Sequence, residues 1–189
     1  MSIEQLLAYH CGPALTGLKP SNLVSCTKYS TRDVIEKNIL LNKSCNTYGV
    51  YFHPIVRPKG SVLIFVYNKP LLEQTLKNPK AMKILDKEGY TPESSLEDKI
   101  KFLEKRINSS PDFPHEIGLF LGYPASDVAG FIKNKGENYK LCGYWKVYGN
   151  KRKARRLFRR YNRCRKDCLF LVTGGRPLET LCLLNNKAV

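Results

Sequence analysis

Three imidazoles and seven thiols are the side chains of this 189-residue chain best suited to chemistry. His10-Cys11, His53, His115-Glu116, Cys142 and the pair Cys164 and Cys168 are all ligand types for zinc or another soft metal. His10, Cys11, His115 and Cys142 form the candidate set for a metal- or thiol-dependent redox centre. Ligands to one ion must stand about 2 to 2.3 Å from it, so the set requires four side chains drawn from distant segments to converge. No HExxH and no CxxC is present, so no motif fixes a metal, and no cofactor is identifiable. The structural reading of the same residues is simple. Cys164 and Cys168 continue an apolar stripe, where thiols behave as small hydrophobes. His10 falls on the inner face of its helix, and Glu116 lies in a first helical turn, where the helix dipole favours a carboxylate. Helical neighbours point about 100° apart, so His10 cannot serve Cys11 as base, and its partner would have to be His115 or His53. GxSxG, P-loop and GxGxxG signatures are absent, and no catalytic residue is assigned.

A second constellation is electrostatic. The net charge is +16, but the segment KRKARRLFRRYNRCRK (151–166) carries ten of the 32 Lys and Arg residues and no acid. Without it the chain has 22 bases against 16 acids, or +6, so the basicity belongs mainly to one helix. Ala154, Leu157, Phe158, Tyr161, Cys164 and Cys168 recur at three- and four-residue spacing and form its apolar stripe. Arg152, Arg155, Arg156, Arg159, Arg160 and Arg163 cover the remaining surface and are the candidate polyanion-binding residues. Phosphates accept bidentate guanidinium bonds, and displaced counterions add affinity. The alternatives are a solvated face that serves solubility, or an anionic membrane surface, although the apolar stripe is expected to face the core.

These residues must be positioned by regular elements. A short N-terminal helix is expected with Ser2 and Gln5 at capping-box spacing, stopped by Gly12-Pro13. A second runs from Thr31 to about Leu41. YGVYFHPIV and SVLIFVYN, joined by Arg57-Pro58-Lys59-Gly60, predict a hairpin over about 48–68, with Pro54 marking an edge or bulged strand. Helices follow from Pro70, over about 79–88, and from Ser94, whose Leu96, Ile100, Leu103 and Ile107 form one stripe. Two short helices begin near Pro114 and Pro124. YKLCGYWKVYG alternates and predicts a strand over about 139–148, after which Asn150 caps the basic helix and a last short helix starts near Pro177. The expected fold is α+β: a small antiparallel sheet packed with several helices in one domain, 1–189. No apolar run approaches the ~20 residues of a membrane span, and the start lacks a signal-peptide pattern, so a cytoplasmic location is expected.

The blocks HCGPALTGLKPSNL, FPHEIGLFLGYPASDVAGFIKNKGENYKLCGYWKVYG and the helix after them resemble a bacterial family, domain of unknown function 3793. The resemblance spans nearly the whole chain and implies a cytoplasmic protein; it brings no catalytic residues. Segment 114–135 also has helix-turn-helix spacing, with Gly118 and Gly122 allowing close approach and Val128 and Phe131 packing back. Against a DNA-reading role, the second helix would carry Asp127 in its first turn, where base-reading helices present donors. The segment is read instead as a close-packed helical hairpin that anchors the strand bearing Trp145, with His115 at its lip. The functional expectation is a non-enzymatic binding protein whose basic helix contacts nucleic acid or another polyanion. The rivals are the metal or thiol centre, the helix-turn-helix regulator, and an interaction protein using its Tyr-rich strands.

Overall fold

The computed structural model describes residues 1–58 and 60–187, with side chains through 184; Lys59 of the expected hairpin turn lies outside them. The architecture is α+β, with the described residues dividing into two compact units, Met1–Leu72 with Arg160–Val189 and Glu73–Arg159.

In the first unit, α1 (Ile3–Leu15) opens with the expected capping box: Ser2 Oγ accepts from Gln5 N, and Gln5 Oε1 accepts from Ser2 N. The helix does not stop at Gly12-Pro13 but runs through them. Pro13 lacks the N–H that would bond the carbonyl of Tyr9 four residues earlier. Arg165 supplies it instead, its Nε donating to Tyr9 O at 2.8 Å, with the guanidinium 4.1 Å above the Tyr9 ring. Gly12 makes room rather than a turn. A Cβ there would lie 2.9 Å from Cys168 Sγ, so the glycine lets α1 pack against the C-terminal helix.

The sheet has β1 (Ser21–Ser25), β2 (Val50–Val56) and β3 (Val62–Asn68), with α2 (Thr31–Cys45) between β1 and β2. β3 is central and antiparallel to both neighbours, in register Leu23↔Phe65 and His53↔Phe65. That position explains why Val62 to Tyr67 read as one apolar run without alternation: all seven residues of the strand are buried. Pro54 sits on an edge strand as expected, since β2 has β3 on one side only. Asn42 of α2 covers part of the free edge, donating to Phe52 O at 2.8 Å and accepting from Phe52 N at 2.9 Å.

The remaining elements are α3 (Lys69–Leu76), α4 (Pro79–Lys87), α5 (Leu96–Ser109), α6 (Ile117–Phe120), α7 (Ala125–Lys133), β4 (Leu141–Cys142), β5 (Lys146–Val147) and α8 (Lys151–Thr173), with a closing 3-10 segment, Leu178–Lys187. α3 and α8 run across the division between units. The α5 stripe is buried as predicted, but its cap is Ser95, whose Oγ accepts from Asp98 N, rather than Ser94. The strand expected over 139–148 is corrected as well. It is a two-stranded hairpin of its own, β4–β5, and the third strand of the main sheet is Ser21–Ser25. The alternation was real, but Gly143 folds the segment back, with Gly143 N donating to Trp145 O at 3.2 Å.

Candidate functional site

The basic helix α8 begins where Asn150 Oδ1 accepts from Lys153 N at 2.9 Å, and it continues seven residues past the expected end at 166. Ala154, Tyr161 and Cys168 are buried and Leu157, Phe158 and Cys164 half-buried, so the apolar stripe faces inward. Arg152, Arg155, Arg156, Arg159, Arg160 and Arg163 are all exposed. Among the described residues, one of the six has a carboxylate partner: Arg163 lies 3.7 Å from Asp167, with both side chains open to solvent. Such an exposed pair contributes little. Arg165, on the flank of the stripe, is the exception to the outward pattern because Tyr9 holds it. Sequence reasoning missed Phe170. It is 78% exposed and stands four residues after Lys166, extending the cationic stripe by one turn with an aromatic ring. The signal was present, since 163, 166 and 170 keep the outer-face spacing.

The second unit builds a different site from the segment FPHEIGLFLGYP. Glu116 stands at the N-cap of α6, at the helix start expected from sequence, but its side chain makes no cap bond. It is wholly buried and accepts from Tyr90 Oη at 3.0 Å and from both Arg106 Nε and a terminal Arg106 nitrogen, the latter at 3.1 Å. Arg106 reaches Glu88 as well, at 2.6 Å. Burial, then the adjacent Glu116 charge, pushes the Tyr90 phenol well above its ordinary range. The network anchors α6 through the buried Glu116, and removing the Arg106 guanidinium would leave that carboxylate as an uncompensated buried charge.

Gly118 is required by packing: a Cβ there would meet Val128 at 2.9 Å and Tyr123 at 3.0 Å. Asp127, in the first turn of α7, is buried and accepts from Trp145 Nε1 at 2.8 Å, Tyr148 N at 3.0 Å and Gly149 N at 2.7 Å. It thereby fastens the β4–β5 hairpin to α7. The hairpin's other side meets the first turns of α8. A Cβ on Gly143 would lie 2.2 Å from the Phe158 ring, and Phe158 packs edge-on against Trp145 at 4.6 Å. Between α6, α7 and the hairpin lies a cavity of about 320 Å³ walled by Phe113, Tyr123, Phe131 and Trp145, with His115, Cys142 and Lys146 among its polar side chains.

The candidate metal set is distributed as follows. His10 and Cys11 lie in the first unit, His115 and Cys142 in the second. His10 is half-buried beside Tyr9, and burial, then the Arg165 charge, lowers its pKa. Cys11 is wholly buried, and burial pushes its thiol well up. His115 and Cys142 are exposed and line the same cavity. Among the described residues, no group of three or more His, Cys, Asp or Glu side chains is placed to hold a metal ion. Cys164 and Cys168 form a thiol pair with sulfurs 3.8 Å apart and Thr16 Oγ1 3.4 Å from Cys164. Hydrogen bonding from Cys168 lowers the Cys164 pKa to about 7 and drives that of Cys168 upward.

The sequence profile described as "Protein of unknown function (DUF3793)" matches residues 7–182. The chain belongs to that family. The match takes in α1 from Leu7 onward, the main sheet, the cavity and the whole of α8 in this DUF3793 protein. Neither the curated proteins nor the solved structures include a significant match. Among the described residues, no helix is long and apolar enough to cross a membrane.

Proposed function

We propose that this DUF3793 protein binds nucleic acid, in a sequence-independent manner, through the outer face of α8. The observation that carries the reading is the set of exposed arginines, five of which have no carboxylate partner among the described residues. Arg152 to Arg163 spans roughly 16 Å of helix axis at 1.5 Å per residue, a length that meets several successive phosphates. Phe170 favours single strands over duplex, because unstacked bases can lie on an exposed ring while phosphates meet the cations. An anionic membrane is disfavoured, since a surface helix needs a broad apolar outer face and here that face is arginine. The helix-turn-helix alternative is less well supported. α6 is a single turn, and Asp127 at the start of α7 is committed to Trp145, Tyr148 and Gly149.

The test is fluorescence anisotropy with a labelled oligothymidylate and a duplex of equal length, over a range of salt. Six phosphate contacts give a slope of log K against log salt of about −4 for the single strand. Replacing Arg152, Arg155, Arg156 and Arg159 with Gln should reduce that slope to about −1.5. Phe170→Ala should weaken single-strand binding by about 5-fold or more while leaving the duplex nearly unchanged. No binding at low salt, or binding indifferent to the four substitutions, overturns the reading; so does association with phosphatidylserine vesicles but not with either oligonucleotide.

A further inference from the structure

We infer that the aromatic cavity of the second unit is a binding site for a small, flat, anionic ligand: an aromatic or heteroaromatic carboxylate of one or two fused rings. The site is separate from the α8 surface and does not depend on nucleic-acid binding. Its volume, about 320 Å³, lies at the small end of the range of ligand sites and suits an occupant of one or two fused rings.

The flatness follows from the walls. Tyr123 and Trp145 stack on one another, with centroids 4.9 Å apart and planes 26° from parallel, so two near-parallel rings stand in the lining. Phe131 supplies another wall, with the His115 ring packed edge-on against it at 5.1 Å. Phe113 is 46% exposed at the rim, where an occupant would cover more of it. Offset stacking on such rings rewards a planar occupant over a puckered one of equal size.

The charge follows from the polar groups. Asp127 is the one carboxylate on the lining, and its two oxygens already accept from three N–H donors. Lys146 is the one Lys or Arg on the lining. Its ammonium is held in place rather than left to sweep through solvent: it donates to Gly136 O at 2.7 Å and stands over the Tyr139 and Phe131 rings at 5.0 and 5.8 Å. One carbonyl bond leaves two of its three protons to donate. A cation fixed beside an apolar chamber attracts an anion more strongly than it would in open water. Cys142, exposed on the same lining, reports occupancy without taking part in recognition.

The probe is naphthoate, measured by titration calorimetry, with iodoacetamide labelling of Cys142 followed by mass spectrometry as an independent readout. A two-ring acid in a site of this kind should bind with Kd of about 0.1 to 1 mM and slow Cys142 labelling in proportion. Lys146→Gln should weaken it by about 10-fold or more, with Lys146→Arg restoring most of the loss, because both side chains are cations that can reach a carboxylate. Cyclohexanecarboxylate, which is puckered, and naphthylmethanol, which is uncharged, should each bind at least several-fold more weakly. Arg156→Gln should change nothing, which separates the cavity from general attraction to the basic helix. The proposal is overturned if naphthoate does not bind at several millimolar, if cyclohexanecarboxylate binds as well, if Lys146→Gln with an unchanged circular-dichroism spectrum binds equally, or if Cys142 is not protected.

Discussion

Asp127→Asn is the sharpest perturbation of the second unit. The two carboxylate oxygens of Asp127 receive three N–H donors, from Trp145, Tyr148 and Gly149, at 2.7 to 3.0 Å, and the residue is 4% exposed. Asn has one acceptor oxygen and one amide group. With donors converging on both positions, either orientation sets an NH₂ against an N–H. Bonds to a charged group contribute about 1.5–3 kcal/mol and neutral ones about 1, so losing one bond and weakening the others should cost about 2–4 kcal/mol. In a chain of this size that corresponds to a fall of roughly 4–15 °C in Tm. Trp145 is the chain's one tryptophan and donates to this same carboxylate, so its fluorescence in a urea titration reports the site directly. Removing the indole N–H by Trp145→Phe should relieve part of the conflict, leaving a coupling of about 1–2 kcal/mol in a double-mutant cycle followed by circular dichroism. Asp127→Asn within about 0.5 kcal/mol of the parent, or an equal cost in both backgrounds, would refute the view that this carboxylate fastens the hairpin to α7.

Two further outcomes test the first unit. Gly12→Ala would place a Cβ 2.9 Å from Cys168 Sγ in a buried contact, so it should cost about 1–3 kcal/mol of stability in denaturant unfolding, and Cys168→Ala should recover part of that loss. The Cys164 thiol titrates low, at about 7 against an ordinary 9, so its alkylation rate should rise through neutral pH, ahead of the upshifted and buried Cys11 and Cys168. Peptide mass mapping after timed iodoacetamide exposure measures it. A Cys164 rate that climbs only near pH 9 would show that the contacts from Cys168 and Thr16 do not hold the thiolate.

What the sequence made legible was whatever is written in local periodicity. The α5 stripe of Leu96, Ile100, Leu103 and Ile107 and the hairpin of β2 and β3 announce themselves over a few residues, and the structure has them there. β1 does not: SNLVS is five residues long, lacks alternation, and is a strand because β3 lies beside it, some forty positions away. Gly12-Pro13 reads as a helix stop, yet the helix runs on, and the carbonyl left free by proline is bonded by Arg165, more than 150 residues later. The same limit applied to the sites. The outward arginines were visible from spacing alone, while the aromatic cavity was not. Its walls come from three segments, and the roles of Glu116 and Asp127 were set by partners on other elements.

The two faces of α8 pull against each other, and the balance has a consequence for the free protein. Arg152 and Arg156, Arg155 and Arg159, Arg156 and Arg160, and Arg159 and Arg163 each stand one turn apart. Like charges at that spacing destabilise a helix by about 0.2–0.5 kcal/mol a pair, on the order of 1–2 kcal/mol in all. The inner stripe, with Ala154, Tyr161 and Cys168 buried, has to offset that. A surface charge arrangement that weakens its own helix gains most from whatever neutralises it. Added salt alone should therefore raise the Tm of the free protein by screening the repulsion, and a bound polyanion should raise it further. If the arginine face served only to keep the chain in solution, neutral salt and an oligonucleotide of the same ionic strength would have the same effect.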